Sequence, residues 1–462
     1  MKTLKNIYLA CFSALALSAC HKAELAYISP AVVQVSNAIT SDTLKGAIKG
    51  TMLAGKTYYF SKDITVNDGD TLQMQAGVRL IALGDGKTYQ TAPAIIMHGT
   101  FISLGTKENP NYITVQNSAA LHTEAEAQNY SNVFQGWWGG IICTPGPVID
   151  GKPVPTGGDV VLKWTHLEFA GGPAGPGTLD AYTEGDPRYV IYFANITKNF
   201  ILEDSWLFGS KDDGIRVAGG KISVMRNTFE LCGQGGGEFF NMKSGTLGDL
   251  AYNFMIGAAT NALKASDAGG SGIQTNVNMY NNTIVNCGFR QTKSGRGGSI
   301  NFEKAASGQV YNNLIANCRF GLRVTKDADL QNMKYNNQYF YGVTTGIAGQ
   351  FLASDGVATF QPGDIHSDAA KDNDPLFYGY DLTKYDYVAN PGPLTVSAQT
   401  PYVVTVGTSN FRLQAASKGL GAGKVDFQPM AAVTTTGDYG TTITPPGKDI
   451  GAYQNDGTGN QH

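Results

Sequence analysis

Charged residues are scarce in this chain: Asp, Glu, Lys and Arg make up 15% of 462 residues, against about a quarter in an ordinary globular protein. That excludes a coiled coil or a charge-rich disordered segment as the main architecture. The formal net charge is −3, so there is no basic excess of the kind that holds nucleic acid. His and Cys number 6 each and never fall at CxxC or HxxxH spacing, which argues against a metal centre built from them. Beyond the N-terminus no stretch holds the roughly 18 unbroken apolar residues of a membrane-spanning helix. What is plentiful is glycine, 58 residues, about one in eight where about 7% is usual. Asparagine is frequent too, and 42% of the chain is hydrophobic. Turn-forming residues beside that much apolar side chain describe a β-rich protein with many corners and a sizeable core.

The N-terminus is an address. Lys2 and Lys5 precede an apolar stretch over residues 7–17, too short to cross a bilayer but right for a secretory signal. It ends Leu17-Ser18-Ala19-Cys20, which resembles a bacterial lipobox. The resemblance implies cleavage after residue 19, diacylation of Cys20 and a lipid-anchored protein at the outer membrane or cell surface. The plainer alternative is a cleaved signal with an incidental cysteine. Residues 20–55 read as a tether with little periodicity.

The middle of the chain repeats itself. Six segments align without gaps: Glu203-Asp204-Ser205-Trp206, Arg226-Asn227-Thr228-Phe229, Tyr252-Asn253-Phe254-Met255, Asn281-Asn282-Thr283-Ile284, Asn312-Asn313-Leu314-Ile315 and Asn336-Asn337-Gln338-Tyr339. One column reads Asp204, Asn227, Asn253, Asn282, Asn313, Asn337; two places on, every residue is large and apolar; five places on, every residue is small (Gly209, Cys232, Ala258, Cys287, Cys318, Gly342). A short alternating strand follows in each unit: Ile215-Arg216-Val217, Phe240-Asn241-Met242, Leu263-Lys264-Ala265, Ile300-Asn301-Phe302, Leu322-Arg323-Val324 and Gly346-Ile347-Ala348. Units of two to three dozen residues cannot bury their own apolar face, so they must stack. Asn tolerates the left-handed backbone of a tight corner, and amides stacked about 4.8 Å apart can bond to one another. The Asn column is therefore read as structural. Cys143, Cys232, Cys287 and Cys318 are expected as buried free thiols, because equivalent side chains on stacked strands aim the same way.

At this point the chain resembles right-handed parallel β-helix proteins, the fold of pectate lyases and polygalacturonases, over residues 56–455. Val66-Asn67-Asp68-Gly69-Asp70-Thr71-Leu72 looks like an opening rung, and Asp374-Pro375-Leu376-Phe377, Asn410-Phe411-Arg412-Leu413 and Asp449-Ile450-Gly451-Ala452-Tyr453 look like a closing segment. Gly136-Trp137-Trp138-Gly139-Gly140-Ile141, Thr165-His166-Leu167-Glu168-Phe169-Ala170 and Asp212-Asp213-Gly214 resemble a group of Bacteroidota surface lipoproteins. The expected layout is a signal over 1–19, an anchor and tether over 20–55, an all-β, pectin-lyase-like right-handed parallel β-helix over 56–360 and a closing segment over 361–462. The fold hosts lyases, hydrolases and plain binders, so it does not choose an activity.

Outward residues of the second strand would read Arg216, Asn241, Lys264, Asn301, Arg323, with Lys243, Glu303 and Lys304 beside them and Arg290, Lys293 and Arg296 on the inserted loop 288–298. Such a basic strip suits an extended acidic polysaccharide, whose carboxylates pair with Arg forks. Asn241, Lys243, Asn301, Arg290 and Arg296 are the candidate binding residues. A solvated face that protects an exposed sheet is the competing reading. If the strip is catalytic, Arg216, Lys264 and Arg323 are candidates for base and charge neutraliser in β-elimination. The resemblance adds a Ca²⁺ site, for which Asp212, Asp213 and Glu303 are candidates. Asp212-Asp213 is also similar to the Asp pair of polygalacturonases, but the Gly-His-Gly and Arg-Ile-Lys segments of that family are missing. Trp137 and Trp138 read either as a sugar-stacking platform or as rung packing. Polysaccharide binder, lyase and scaffold stay open; the chain is expected to act as a monomer, with a polysaccharide and a membrane as its partners.

Overall fold

The computed structural model describes residues 36–127, 129–291, 296–384, 410–433 and 439–462. The signal, Cys20, the first part of the tether (20–35) and Lys293 lie outside the described residues.

The chain is an all-β parallel β-helix. Each turn contributes three short strands, for example Asn199–Glu203, Trp206–Ser210 and Ile215–Val217, then Gly220–Met225, Thr228–Cys232 and Phe240–Met242. Equivalent strands stack in parallel into three sheets. The first holds 10 strands; the second and third together hold 19, joined because the long strand Thr57–Val66 pairs with Arg79–Ala82 through its first half and with Ile95–Met97 through its second. The winding starts before residue 56: Thr43–Ala47 and Gly50–Met52 already pair with the strands that follow. The stretch read as tether therefore carries the first turn, and its weak periodicity reflects a half-exposed end strand.

Strands of the third sheet alternate, with Ile215, Val217, Phe240, Met242, Leu263 and Ala265 buried toward the axis. Strands such as Trp206–Ser210 and Thr228–Cys232 are buried on both faces and so read as nearly continuous apolar runs. Their outer cover is the closing segment. Ile365 still bridges Tyr339 in parallel; beyond it the described parts of the segment run back over the first and second sheets. Phe427 packs on Tyr280 and Tyr311, Phe411 on Phe254, and His462 stacks on Trp164 at 5.3 Å. Val433 and Tyr439 seal Ile102, Val161 and Ile201.

The asparagine column is a ladder. Nδ2 of Asn227, Asn253 and Asn282 each donates to Oδ1 of the next Asn at 2.9 Å. The same three amides also donate to Leu202 O, Val224 O and Leu250 O of the preceding turns. At both ends the expected alignment slips by one residue. Ser205, not Asp204, precedes Asn227, donating its N–H to Asn227 Oδ1 at 2.9 Å. Gln338, not Asn337, follows Asn313, accepting its Nδ2 at 3.1 Å. The left-handed corner is a separate column one place upstream: Asp204, Arg226, Tyr252, Asn281, Asn312 and Asn337, all with φ between 49 and 60. Corner and ladder are thus two neighbouring jobs, and Asn fills both only in the middle turns.

The four described cysteines are free and buried. Gly346-Ile347-Ala348 is not a strand but part of a short helix, Thr345–Ala348, whose N-cap Thr344 Oγ1 accepts from Ile347 N–H at 3.2 Å. The place beside Leu322 in the third sheet is taken instead by Leu352, which bridges it in parallel.

Candidate functional site on the third sheet

The closing segment packs over the first two sheets, which leaves the third to present its own side chains. The expected column forms in register: Arg216 pairs with Asn241, Asn241 with Lys264, Lys264 with Asn301 and Asn301 with Arg323. Tyr192 extends it on the preceding turn.

The column is not a simple basic strip. Nε and Nη2 of Arg216 both donate to Asp213 Oδ2, at 3.0 and 2.6 Å, and the guanidinium lies 4.1 Å from the Tyr189 ring centre. Lys264 Nζ sits 3.2 Å from Glu303 and 3.7 Å from Glu238. Arg323 forks onto Asp355 at 3.0 and 2.6 Å and donates to Asn301 Oδ1 at 2.9 Å. Asn301 Nδ2 in turn donates to Glu303 at 3.1 Å. Carboxylates alternate with cations because a second column lies two residues upstream of each third-sheet strand: Tyr189, Asp213, Glu238 and Asn261. Asp213 Oδ1 accepts the Glu238 N–H at 2.9 Å, and Asn261 Nδ2 donates to Glu238 at 3.3 Å. Glu238 and Asp355 were not foreseen. The signal for Glu238 was its placement ahead of Phe240, matching Asp213 ahead of Ile215.

Asn241 joins the two columns. Its Nδ2 donates to Asp213 at 2.8 Å and Glu238 at 3.3 Å, while its buried Oδ1 has no hydrogen-bond partner among the described residues. Burial works against the Asp213 carboxylate, but the Arg216 charge and the bonds from Glu238 and Asn241 more than offset it and hold it down to about 2. Burial and the Asp213 charge push Glu238 up to about 8 and Asp212 up to about 7. Burial, then repulsion from Lys264 and Arg216, brings Lys243 down to about 8. Neighbouring groups driven apart in this way, three of them exchanging protons near neutrality, mark a site able to do acid–base work.

Other expected residues go elsewhere. Arg290 spends its guanidinium on backbone: Nη2 donates to Cys232 O at 2.8 Å, Gly233 O at 2.6 Å and Gly257 O at 3.0 Å. It braces a turn with Nε and Nη2 rather than offering its guanidinium fork to a ligand carboxylate. Arg296 is exposed on its loop. The Ca²⁺ donors do not assemble: among the described residues no group of three or more His, Cys, Asp or Glu is placed to hold a metal. Asp213 and Glu303 are already engaged by Arg216, Lys264 and amides.

The raised carboxyls have a measurable consequence. Asp212 and Glu238, at about 7 and 8 in the folded protein, keep protons that the unfolded chain gives up near 3.8 and 4.5. Their stabilising contribution is complete below those lower values and is lost as pH rises toward the upper ones. The buried histidines His166 and His462, held down to about 3 and 4 from 6.5, pull the other way at lower pH, so the urea midpoint should fall between about pH 6.5 and 8, and Asp212→Asn, which cannot ionise, should flatten that fall. An identical slope in the variant would remove Asp212 from the account.

No protein-family model matches this chain, and no curated protein matches it significantly.

Proposed function

We propose that the protein is a lipid-anchored envelope protein that engages an extended acidic polysaccharide along the third sheet. The observation that carries this is the in-register column Arg216, Asn241, Lys264, Asn301, Arg323 on the sheet outside the closing segment's cover. Stacked strands repeat at about 4.8 Å, so the column offers a periodic set of donors to a periodic ligand. With Asp212 and Glu238 protonated, the cations Arg216, Lys243, Lys264 and Arg323 outnumber the carboxylates Asp213, Glu303 and Asp355. Tyr182, Tyr189 and Tyr192 cluster at one end, with ring centres 4.8 to 6.2 Å apart, and supply an aromatic wall of the kind that packs on sugar rings. The lipobox at Cys20 supplies the surface location.

Among the described residues Lys243 makes no ion pair with a carboxylate, and its variant leaves the salt bridges of the column intact. Lys243→Ala is expected to weaken binding of polygalacturonate or alginate roughly tenfold in affinity electrophoresis, the worth of one charge-assisted contact. Failure of every uronic acid polymer to retard the wild-type protein would end this reading. A second reading, β-elimination at the same face, is favoured by one observation: burial and neighbouring cations bring the Lys243 ammonium down to about 8, where it can act as a base. Arg216 and Lys264 would then face the developing enolate. Ultraviolet absorbance of unsaturated products separates cleavage from binding.

A further inference from the structure

A second concave site lies on earlier turns, in the loops that connect the second sheet to the third. A cleft of about 630 Å³ opens there, lined by Leu83, Asp85, Gln90, Gln116, Asn117 and Trp137 among others. Its size is that of a small-molecule site. The two adjacent tryptophans have separate fates. Trp138 is fully buried, with Nε1 donating to Glu168 O at 2.7 Å. Trp137 is only partly buried and lines the cleft, its indole fixed at one edge by Nε1 donating to Asn132 O at 2.9 Å. Rung packing accounts for the whole of the first; the second also packs against the core but keeps part of its surface for the cleft.

Three amides, Gln90, Gln116 and Asn117, share the lining with the hydroxyls of Ser61 and Thr91, one ammonium, Lys62, and one carboxylate, Asp85. Gln90 and Gln116 are exposed. Asn117 stands at the N-cap of the helix Ser118–Glu126 yet its side chain caps nothing. The one acid, Asp85, already faces Lys87 at 3.7 Å and accepts the Lys87 N–H at 3.1 Å. An amide offers a donor and an acceptor side by side, as a sugar hydroxyl does. A fixed indole offers an apolar plane. Ring plane, a rim of amides and hydroxyls, and a single lysine set against a single aspartate match a pyranose without charge better than a nucleotide or a uronate, which call for a cluster of cations.

From this we infer that the Trp137 cleft is a binding site for a neutral hexose- or pentose-based glycan, separate from the third-sheet strip. It stands whether or not the strip binds acidic polymers, because the residues are different. Two sites on one solenoid would hold a mixed or branched polysaccharide more tightly than either alone.

The test is titration of the full-length protein with cellohexaose, maltohexaose, mannohexaose and xylohexaose, followed by calorimetry and tryptophan emission. At least one should bind and shift the emission. Trp137→Ala should weaken that binding roughly tenfold or more, as loss of an aromatic stacking surface does. Gln116→Ala, at an exposed position that leaves packing intact, should weaken it several-fold, while Lys243→Ala on the strip should leave it unchanged. Far-UV circular dichroism checks that each variant is folded. The inference is overturned if none of the four oligosaccharides binds, if the Trp137 and Gln116 variants both bind as the wild type does, or if adenosine occupies the cleft in their place.

Discussion

Asn282→Ala is expected to cost about 3–5 kcal/mol of stability, the sum of two or three buried polar groups left without partners. Asn282 is fully buried and makes four bonds. Its Oδ1 accepts from Asn253 N at 3.0 Å and Asn253 Nδ2 at 2.9 Å; its Nδ2 donates to Asn313 Oδ1 at 2.9 Å and Leu250 O at 3.1 Å. Truncation strands the Asn253 donors and Leu250 O on one neighbouring turn and takes one bond from Asn313 Oδ1 on the other, in a place water cannot reach. Because each turn touches only its neighbours, the damage spans three adjacent turns. Urea unfolding followed by circular dichroism measures it. Asn337→Gly is the control: this residue sits at a left-handed corner outside the ladder, glycine accepts that backbone, and the loss should stay within about 1 kcal/mol. Comparable losses from the two variants would mean that the ladder is not what holds the stack.

Lys264→Met should be nearly as damaging, about 3–5 kcal/mol at neutral pH, the usual cost of breaking one side of a buried ion pair. Methionine fills the space of the aliphatic stem, so the effect reports charge rather than volume. Lys264 is 8% exposed and stands between Glu238 and Glu303. Burial opposes the Glu303 carboxylate, and the Lys264 charge is the first thing that overcomes it to keep that group low. Without Lys264, Glu303 should titrate closer to neutrality, and stability should recover as pH falls and the orphaned carboxylate takes a proton. Glu303→Gln in the Lys264→Met background should restore part of the loss. A double-mutant cycle with no coupling between positions 264 and 303 would contradict the pairing.

The sequence carried the fold better than the site, for physical reasons. Period-two alternation shows wherever one face is buried and the other wet, which is why Ile215-Arg216-Val217 and its four stacked equivalents were legible down to the register. The first sheet was not separately legible. Its outer residues, such as Ile102, Val161 and Ile201, are apolar because the closing segment covers them, and a doubly buried strand loses its alternation. The slips at Asp204 and Asn337 arose because an Asn at a left-handed corner looks the same in sequence as an Asn in the ladder beside it. The cations of the strip were readable one by one. Their partners were not, because Asp213 and Glu238 belong to turns of unequal length that only the stacking aligns. Arg290 was misassigned for a related reason: composition does not tell a guanidinium that faces solvent from one that clasps the carbonyls of Cys232, Gly233 and Gly257.

The returning closing segment has a kinetic consequence. The ladder bonds between turns join residues 22 to 31 positions apart, from Ser205 with Asn227 to Asn282 with Asn313, whereas Lys163 reaches Gly440 across 277 positions. The winding can therefore propagate like a zip as the chain emerges, while the clasp that shuts over it must wait for nearly everything else. Until then a row of rings, Trp206, Phe254 and Tyr280 among them, stands bare. The vulnerable interval in this protein's biogenesis is thus the pause between a finished coil and its fastening, and any factor that shields it should recognise that aromatic row.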